Sequence, residues 1–107
     1  MQTILILLYP DRLENPDLDL RYEVPDRIEE ATQGVVQDNG YDYIGEGYAP
    51  ALGIWLKADD AQQSWQAVKE LMEQECFLDN DLSRSAEIYI SEKDAAPLEE
   101  CRRVFPE

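Results

Sequence analysis

The sequence predicts one α+β domain spanning residues 1–107, and two observations lead to that prediction. The length suits a single domain, because domains typically hold roughly 100–150 residues, and an apolar share of 44% is enough for one core. The apolar pattern switches between strand-like and helix-like periods in the order β-α-β-β-α-β. That order predicts a ferredoxin-like split βαβ fold, in which two helices cover one face of a four-stranded antiparallel sheet.

The chain opens with a strand and a long connection. Residues 4–9 form a continuous apolar run that Pro10 ends, as is typical of a strand buried in the middle of a sheet. Residues 10–24 contain two prolines and alternating acids, and a connection of this length usually carries function. Within it, the alternation over residues 18–22 allows a short extra strand.

A helix is predicted after this connection. Pro25 suits its first turn, and the acids that follow favour the positive end of a helix dipole. Asn39-Gly40 is a typical helix stop. The apolar stripe of this helix consists of Ile28, Ala31 and Val35.

The second half of the chain predicts two strands, a helix, a further strand and a short terminal helix. Asp59-Asp60 supplies the N-cap of the central helix, and Pro97 lies near the start of the last one. The predicted elements are strands at 41–48, 52–57 and 86–91, a helix at 61–75 and a shorter helix at 97–105.

The two tryptophans are predicted to lie in different surroundings. Trp65 belongs to the apolar stripe of the helix at 61–75 and is expected in the core. Trp55 alternates with Ile54 and Leu56, so it points to the opposite face of the sheet. With the helices on the Ile54 face, Trp55 needs to be covered by the C-terminal segment, a second subunit or a partner.

The net charge narrows the classes of partner. There are 24 Asp and Glu residues against 9 Lys and Arg residues, which gives a formal net charge of -15. Charge on this scale repels nucleic-acid phosphates and anionic membrane surfaces, whereas it attracts basic proteins. We therefore expect a basic protein partner and no direct contact with nucleic acid or membrane. A generally acidic host proteome is the alternative explanation.

No catalytic residue, cofactor or metal site is expected. The chain has no histidine, which removes the commonest general base and the commonest metal ligand. Residues 79–85 imitate the start of a calcium loop, but Arg84 and Ile90 stand where that loop needs Gly and Glu. Cys76 and Cys101 have no metal-like spacing, and two buried free thiols are favoured over a disulfide.

Acids alternate with aromatic residues in the connection at 11–24 and in the strand at 41–48. Tyrosine is a favoured anchor at protein interfaces, and acids at the rim steer a basic partner toward it. These two segments are therefore the predicted contact surface. The residues assigned to it are Asp17, Asp19, Tyr22, Glu23, Tyr43, Glu46 and Tyr48.

In size, acidity, lack of a catalytic motif and predicted architecture, the whole chain resembles the small acidic immunity proteins of bacterial toxin–immunity systems, including those of contact-dependent inhibition. The resemblance implies a cytoplasmic inhibitor, not an enzyme, that binds the C-terminal toxin domain of a cognate effector. Many such toxins are nucleases, whose clefts are basic because they hold phosphates. A cytoplasmic location also agrees with the N-terminal apolar run, which is too short for a signal peptide or a membrane span.

Three other functions remain open on the sequence alone. A small enzyme or ligand-binding domain of ferredoxin-like fold would form a homodimer through the open face of its sheet. A mimic of DNA would space its carboxylates as regularly as phosphates. An acidic housekeeping protein of a salt-loving organism would have no specific partner.

Overall fold

One antiparallel sheet forms the centre of the computed structural model, which describes residues 1–45 and 50–106. Its five strands are β1 (Gln2–Leu8), β2 (Gln37–Ile44), β3 (Ala51–Ala58), β4 (Ala86–Ser91) and β5 (Arg102–Phe105). They lie in the order β2-β3-β1-β4-β5, and every neighbouring pair is antiparallel. The predicted α+β class with an antiparallel sheet is therefore confirmed.

Within these described ranges, three α-helices accompany the sheet: α1 (Leu20–Ala31), α2 (Ala61–Gln74) and α3 (Leu82–Ser85). The prediction of α2 is confirmed, including its N-cap, because the Asp60 side chain accepts a hydrogen bond from the backbone N–H of Gln63. The described helices include none with the length and apolar character that crossing a bilayer requires.

The central strand β1 explains the continuous apolar run near the N-terminus. Each residue from Ile4 to Leu8 is at most 1% exposed, because β3 and β4 flank the strand and both of its faces are covered. In the register, Ile4 lies opposite Leu56 and Ile90, so these side chains share one face. The predicted buried strand is confirmed.

The main core lies between the sheet and the two longer helices. Helices α1 and α2 pack on the sheet face that carries Ile4 and Ile6, and Trp65 of α2 is buried there as predicted. This face is a continuous apolar layer, which is why the helices need apolar stripes at helical spacing. The stripes that contact it are Leu20, Val24 and Ile28 of α1 and Ala61, Trp65, Val68 and Met72 of α2.

Residues 92–101 cross the opposite face of the sheet. The indole Nε1 of Trp55 donates to the carbonyl of Ala96 across 2.8 Å. The buried hydroxyl of Thr3 donates to the carbonyl of Lys93 at 2.7 Å and accepts from the Ala96 N–H at 3.0 Å. Trp55 was expected to be covered by the C-terminal segment, a second subunit or a partner, and in the structure the C-terminal segment covers it.

Helix α1 differs from its prediction at both ends. It begins at Leu20, so the suggested strand at 18–22 is wrong and Pro25 lies inside the helix. Burying Leu20 and Val24 contributes about 1.5–3 kcal/mol each, which offsets the roughly 3 kcal/mol cost of an internal proline. The helix ends at Ala31 because Gly34 takes a left-handed φ of 82° and bonds back to the carbonyl of Glu29.

The glycine that was expected to end α1 has a different role. Gly40 lies inside β2, which begins at Gln37 and not at Tyr41. The pairing of β2 with β3 shifts between Asp38 and Tyr41, and Gly40 has a φ of 98° at this bulge. A glycine adopts this backbone conformation without steric cost, so Asn39-Gly40 bends a strand and does not stop a helix.

The predicted C-terminal helix at 97–105 is wrong. Only residues 98–100 form a single 3-10 turn, and residues 102–105 form β5, the edge strand beside β4. The sequence spacing of Leu98, Cys101 and Phe105 suits a helix, but a helix would leave the outer backbone groups of β4 without a ladder. Strand β5 supplies that ladder.

Both cysteines are free thiols, and the disulfide is excluded. Cys101 is half-buried, whereas Cys76 is exposed, so the prediction of two buried thiols is wrong for Cys76. Its neighbour Phe77 occupies the buried position, with the guanidinium of Arg27 at 4.1 Å from the ring centroid. Arg27 also donates to the backbone carbonyl of Cys76, which holds the backbone beside the exposed thiol.

Candidate binding surface

The outer side of α1 presents a row of acids around one tyrosine. Asp19, Tyr22, Glu23 and Asp26 occupy positions i, i+3, i+4 and i+7, so they lie on one side of the helix. Leu20 is buried below them. The carboxylate of Asp19 makes no capping bond to the helix and is exposed, and it is therefore available to a partner.

Three exposed tyrosines meet where α1 lies beside the edge strand β2. The rings of Tyr22 and Tyr41 are 5.9 Å apart between centroids, and those of Tyr41 and Tyr43 are 6.3 Å apart, both edge to face. Tyr41 and Tyr43 pair with Ile54 and Leu52, which places them on the helix side of the sheet. Edge-to-face packing at these distances is favourable, so the three rings form one rigid cluster.

Arg21 holds this cluster from one side. Its guanidinium lies 4.7 Å from the centroid of Tyr22 and 5.3 Å from that of Tyr41, which are cation–π distances. The polar contact with Tyr22 raises the pKa of Tyr41 from its ordinary 10.0, although Arg21 opposes this shift. The Tyr41 phenol therefore stays neutral at physiological pH and offers its hydroxyl group to a partner.

The structure brings five of the seven predicted contact residues to one side of the molecule. Asp19 is the residue that precedes α1, Tyr22 and Glu23 lie in its first turn, and Tyr43 joins them through Tyr41. The carboxylate of Asp17 accepts from the Asp19 N–H at 2.9 Å and shapes the turn before α1. Glu46 and Tyr48 lie outside the described residues. We call the following set the acidic tyrosine surface: Asp19, Tyr22, Glu23, Asp26, Tyr41 and Tyr43.

Most charge on this surface is not neutralised within the described part of the chain. Its one ion pair there joins Glu23 to Arg27 at 3.9 Å, and that guanidinium also contacts Glu75. Arg21 faces the tyrosine rings. The remaining carboxylates of the surface, together with Glu29 and Glu30 farther along α1, are exposed to solvent.

The connection that leads into α1 is held by Asn80, which is fully buried. The Asn80 side chain accepts from the backbone N–H of Asn15 and donates to the Asn15 carbonyl, both at 2.8 Å. Leu78 and Asp79 have left-handed φ angles of 47° and 67°, and this turn aims the Asn80 amide at the connection. Because its backbone is bonded to the domain, the connection is a fixed part of the surface and not a loose loop.

A buried carboxylate anchors the start of the same connection. Glu87 of β4 accepts from the hydroxyl of Tyr89 at 2.8 Å, from the hydroxyl of Tyr9 at 3.2 Å and from the Arg12 guanidinium at 3.2 Å. A guanidinium nitrogen of Arg103 lies 4.0 Å away. Both carboxylate oxygens are thus satisfied, as a buried charge requires.

The protonation of Glu87 fits a structural role. Burial disfavours its charged form, but the hydrogen bonds from Tyr89, Arg12 and Tyr9 outweigh burial and hold the pKa of Glu87 below its usual 4.5. Burial and the Glu87 charge raise the pKa of Tyr89 to about 12. A general acid needs the opposite shift, a carboxyl pKa raised toward neutrality.

An open cleft of about 720 Å³ lies at the other end of β1, between the start of α2 and residues 90–102. Acids such as Asp59, Glu92 and Glu99 line it, and burial raises the pKa of Cys101 in its wall, which keeps that thiol protonated. Across residues 1–45 and 50–106, no group of three or more His, Cys, Asp or Glu side chains is arranged to hold a metal ion.

Sequence reasoning missed Tyr41 and Arg21, the two residues at the centre of the cluster. Tyr41 belongs to the predicted strand at 41–48, but its contact with Tyr22 depends on α1 lying beside the edge strand β2. Arg21 is a single basic residue among acids, and this pattern does not indicate that its guanidinium stacks on tyrosine rings.

Comparison of the chain with protein-family models, curated proteins and solved structures gives no match.

Proposed function

We propose that the chain is a cytoplasmic immunity-type inhibitor that binds a basic partner, a toxin domain of the nuclease class, through the acidic tyrosine surface. The observation that carries this proposal is the exposed cluster of three tyrosines on an acidic helix. Tyr22, Tyr41 and Tyr43 are 51%, 39% and 42% exposed, and they contact each other. Large aromatic groups held at the surface are typical of interface centres.

The rigidity of the cluster supports a binding role. Edge-to-face contacts and Arg21 fix the rings before any partner arrives, so little side-chain entropy is lost on association. Asn80 and Glu87 hold the preceding connection in the same way. A surface that is ordered in the free protein binds more tightly than a flexible surface of equal area.

The charge supports a basic partner. The exposed acids Asp19 and Asp26 stand three residues before and four residues after Tyr22, which is the arrangement of an aromatic anchor beside a charged rim. A nuclease toxin presents Lys and Arg side chains where it holds phosphates. An acidic inhibitor would occupy that cleft or a basic surface beside it, and electrostatic attraction would accelerate the encounter.

A ligand-binding domain is the second candidate. The cleft beside α2 falls within the roughly 300–1,000 Å³ range of small-molecule sites. The pKa of Glu87 argues against general acid catalysis by that residue, and it lies outside this cleft. The inhibitor proposal is favoured because its surface combines ordered aromatic anchors with charge of one sign.

We also assign the chain to the ferredoxin-like split βαβ class, with β5 as an added edge strand. The order β2-β3-β1-β4, the antiparallel pairing and the placement of α1 and α2 on one face support this classification. A chain shortened to residues 1–101 should keep slow amide exchange in β1 and β3. Loss of that protection would mean that β5 is an integral strand of the sheet.

The first experiment is affinity capture from the cells that produce the chain, with two charge-reversed variants. One variant carries Asp17→Lys and Asp19→Lys, and the matched control carries Glu70→Lys and Glu73→Lys on the exposed side of α2. Both variants have the same net charge. We expect the wild type and the control to retain one basic protein at low salt, and the first variant to lose it.

The captured protein is then tested for nuclease activity with and without the chain. Inhibition at equal molar amounts supports the proposal, and Tyr41→Ala should weaken that inhibition by faster dissociation. If both charge-reversed variants bind as well as the wild type, Asp17 and Asp19 lie outside the interface and the proposed position of the contact is wrong. If the recovered protein has no activity that the chain inhibits, the inhibitor proposal is wrong.

A further inference from the structure

An apolar groove opens beside the acidic tyrosine surface. It has a volume of about 140 Å³ and lies between the connection before α1 and the ends of β1, β2 and β3. Leu18 stands in its lining and is 61% exposed. Leu13, Pro16, Asp17 and Tyr43 also line the groove.

The size of the groove limits what it can hold. An apolar cavity of about 150 Å³ holds a molecule of the size of benzene, whereas small-molecule sites are typically roughly 300–1,000 Å³. The groove therefore suits one side chain of a larger partner. Its described lining is apolar apart from the carboxylate of Asp17 and the phenol hydroxyl of Tyr43.

The walls of the groove are fixed. Pro16 stiffens one wall, and the preceding Asn15 is bonded through its backbone to the buried Asn80. Tyr43 belongs to both the groove and the acidic tyrosine surface, so an inserted side chain would be continuous with the tyrosine contacts. A rigid apolar pocket at the edge of an aromatic cluster is the usual surrounding of an interface anchor.

The charge around the groove favours basic residues beside the inserted side chain in the partner's sequence. Asp17 lies in the lining, Asp19 follows it on the turn, and no Lys or Arg lines the groove among the residues described. Asp11 and Glu14 are exposed on the same connection. A segment that enters here meets the Asp17 carboxylate in the lining and further exposed acids on the same connection.

We propose that the groove receives one apolar side chain of the partner, of the size of leucine or phenylalanine, flanked in sequence by Lys and Arg. This inference rests on the proposed function and adds to it the chemistry of the contact. The apolar side chain supplies buried area, while the flanking bases pair with Asp17 and Asp19. Binding would then depend on both the central residue and the salt concentration.

The test uses defined peptides in place of the unidentified partner. The probe is the fluorescein-labelled peptide Lys-Arg-Lys-Leu-Lys-Arg-Lys, compared with the same peptide carrying Ala at its centre, and binding is followed by fluorescence polarisation. We expect the Leu peptide to bind about tenfold more tightly than the Ala peptide, because additional methylene groups are buried. Added salt should weaken both peptides by a similar factor.

Two variants of the chain locate the contact. Leu18→Ala should remove most of the difference between the two peptides, while Val35→Ala, which shortens another exposed aliphatic side chain beyond the far end of α1, should leave it unchanged. Leu18 is exposed, so its replacement leaves the core intact. Asp17→Lys with Asp19→Lys should weaken both peptides equally.

The outcomes separate this inference from the proposed function. Salt-sensitive binding with equal affinity for the Leu and Ala peptides would overturn the groove as an anchor site and leave the acidic tyrosine surface as a basic-partner site. A preference for Leu that Leu18→Ala does not alter would place the anchor elsewhere and would also overturn the inference. Failure of both peptides to bind at low salt would contradict the proposed function itself.

Discussion

The hydroxyl of Tyr89 donates to Oε1 of Glu87 across 2.8 Å, two residues apart on the same strand and on the same face of the sheet. The same carboxylate also binds Tyr9 and Arg12, which lie at the opposite end of the sequence. One buried charge thus joins β4 to the connection that leads to the acidic tyrosine surface. The stability of the fold and the order of that surface are therefore linked through Glu87.

Glu87→Gln is expected to lower the free energy of unfolding at neutral pH by about 2 kcal/mol, because hydrogen bonds to a charged acceptor are stronger than those to an amide. The pKa of Glu87 in the folded chain is lowered from 4.5, so its contribution is complete above that value and is lost as the pH falls below it. Urea denaturation at a series of pH values measures the effect.

The comparison is between variants, because protonation of the many exposed acids changes the stability of every variant in the same way. The gap between wild type and Glu87→Gln should narrow as the pH falls below 4.5. Glu92→Gln, at an exposed acid, is the control and should differ little from wild type at any pH. A gap that stays constant with pH would contradict the proposed charge state of Glu87.

Thr3→Val tests how residues 92–101 are held over Trp55. Valine has nearly the same shape but removes the hydroxyl that bonds to Lys93 and Ala96, which leaves a carbonyl and an N–H without their partner. We expect a loss of about 1–3 kcal/mol. Hydrogen exchange should show faster exchange at Ala96 than in wild type.

Thr32→Val is the matched control for this prediction. Its hydroxyl makes the same kind of double contact, donating to the Ile28 carbonyl and accepting from the Val36 N–H, but at the end of α1. It should accelerate exchange near Val36 and leave Ala96 unchanged. If Thr3→Val leaves exchange at Ala96 unchanged, the Thr3 hydroxyl is not what holds this segment.

Asn80→Ala is expected to destabilise the chain by about 3 kcal/mol and to loosen the connection before α1. Asn80 is fully buried and bonds to both backbone groups of Asn15, so its removal leaves several polar groups unsatisfied. Urea denaturation measures the loss, and exchange of the Asn15 N–H measures the loosening. Asn39→Ala, at the bulge of β2, is the comparison, and equal losses from both would mean that Asn80 is not a specific anchor.

The elements that the sequence predicted well are those whose periodicity is complete within one segment. Strand β1 is a continuous apolar run because both of its faces are covered, and α2 carries an unbroken apolar stripe. Each pattern reflects burial that continues along the whole element, on both faces of β1 and on one face of α2. Local information was therefore enough to identify them.

The elements that were misassigned depend on distant parts of the chain. Pro25 is a common helix start, but the core required Leu20 and Val24 to be helical as well, and this tertiary gain exceeds the local preference. In the same way, β5 forms because β4 needs a neighbour along its outer edge. The local sequence at the start of α1 and in β5 does not show either of these distant contacts.

The candidate surface shows the same limit. The sequence identified Tyr22 and Tyr43 by their acidic surroundings, and both belong to the cluster. It did not identify Tyr41 as the residue that joins them, because that contact requires α1 and β2 to be adjacent. The bonds of Glu87 to Tyr9 and Arg12 span more than seventy residues and carry no local signal.

The acids at the end of α1 give the last prediction. Glu29 and Glu30 lie in its last turn, where the helix dipole is negative and no basic residue compensates. Glu30→Lys is therefore expected to raise the free energy of unfolding by about 0.5–1 kcal/mol at low salt. Asp26→Lys changes the charge equally on the same helix but away from its end, so it should gain less.

Urea denaturation of both variants at low and high salt separates the effect of the helix dipole from the general repulsion among acids, because salt screens surface charge. A gain confined to low salt and larger for Glu30→Lys would show that the dipole adds to the general repulsion among acids. Equal gains for Glu30→Lys and Asp26→Lys would leave overall charge as the cause. A larger gain in the free energy of unfolding for Glu30→Lys means that acids on the same helix as Tyr22 destabilise the free chain. This is expected if the basic residues of a partner neutralise those acids in the complex.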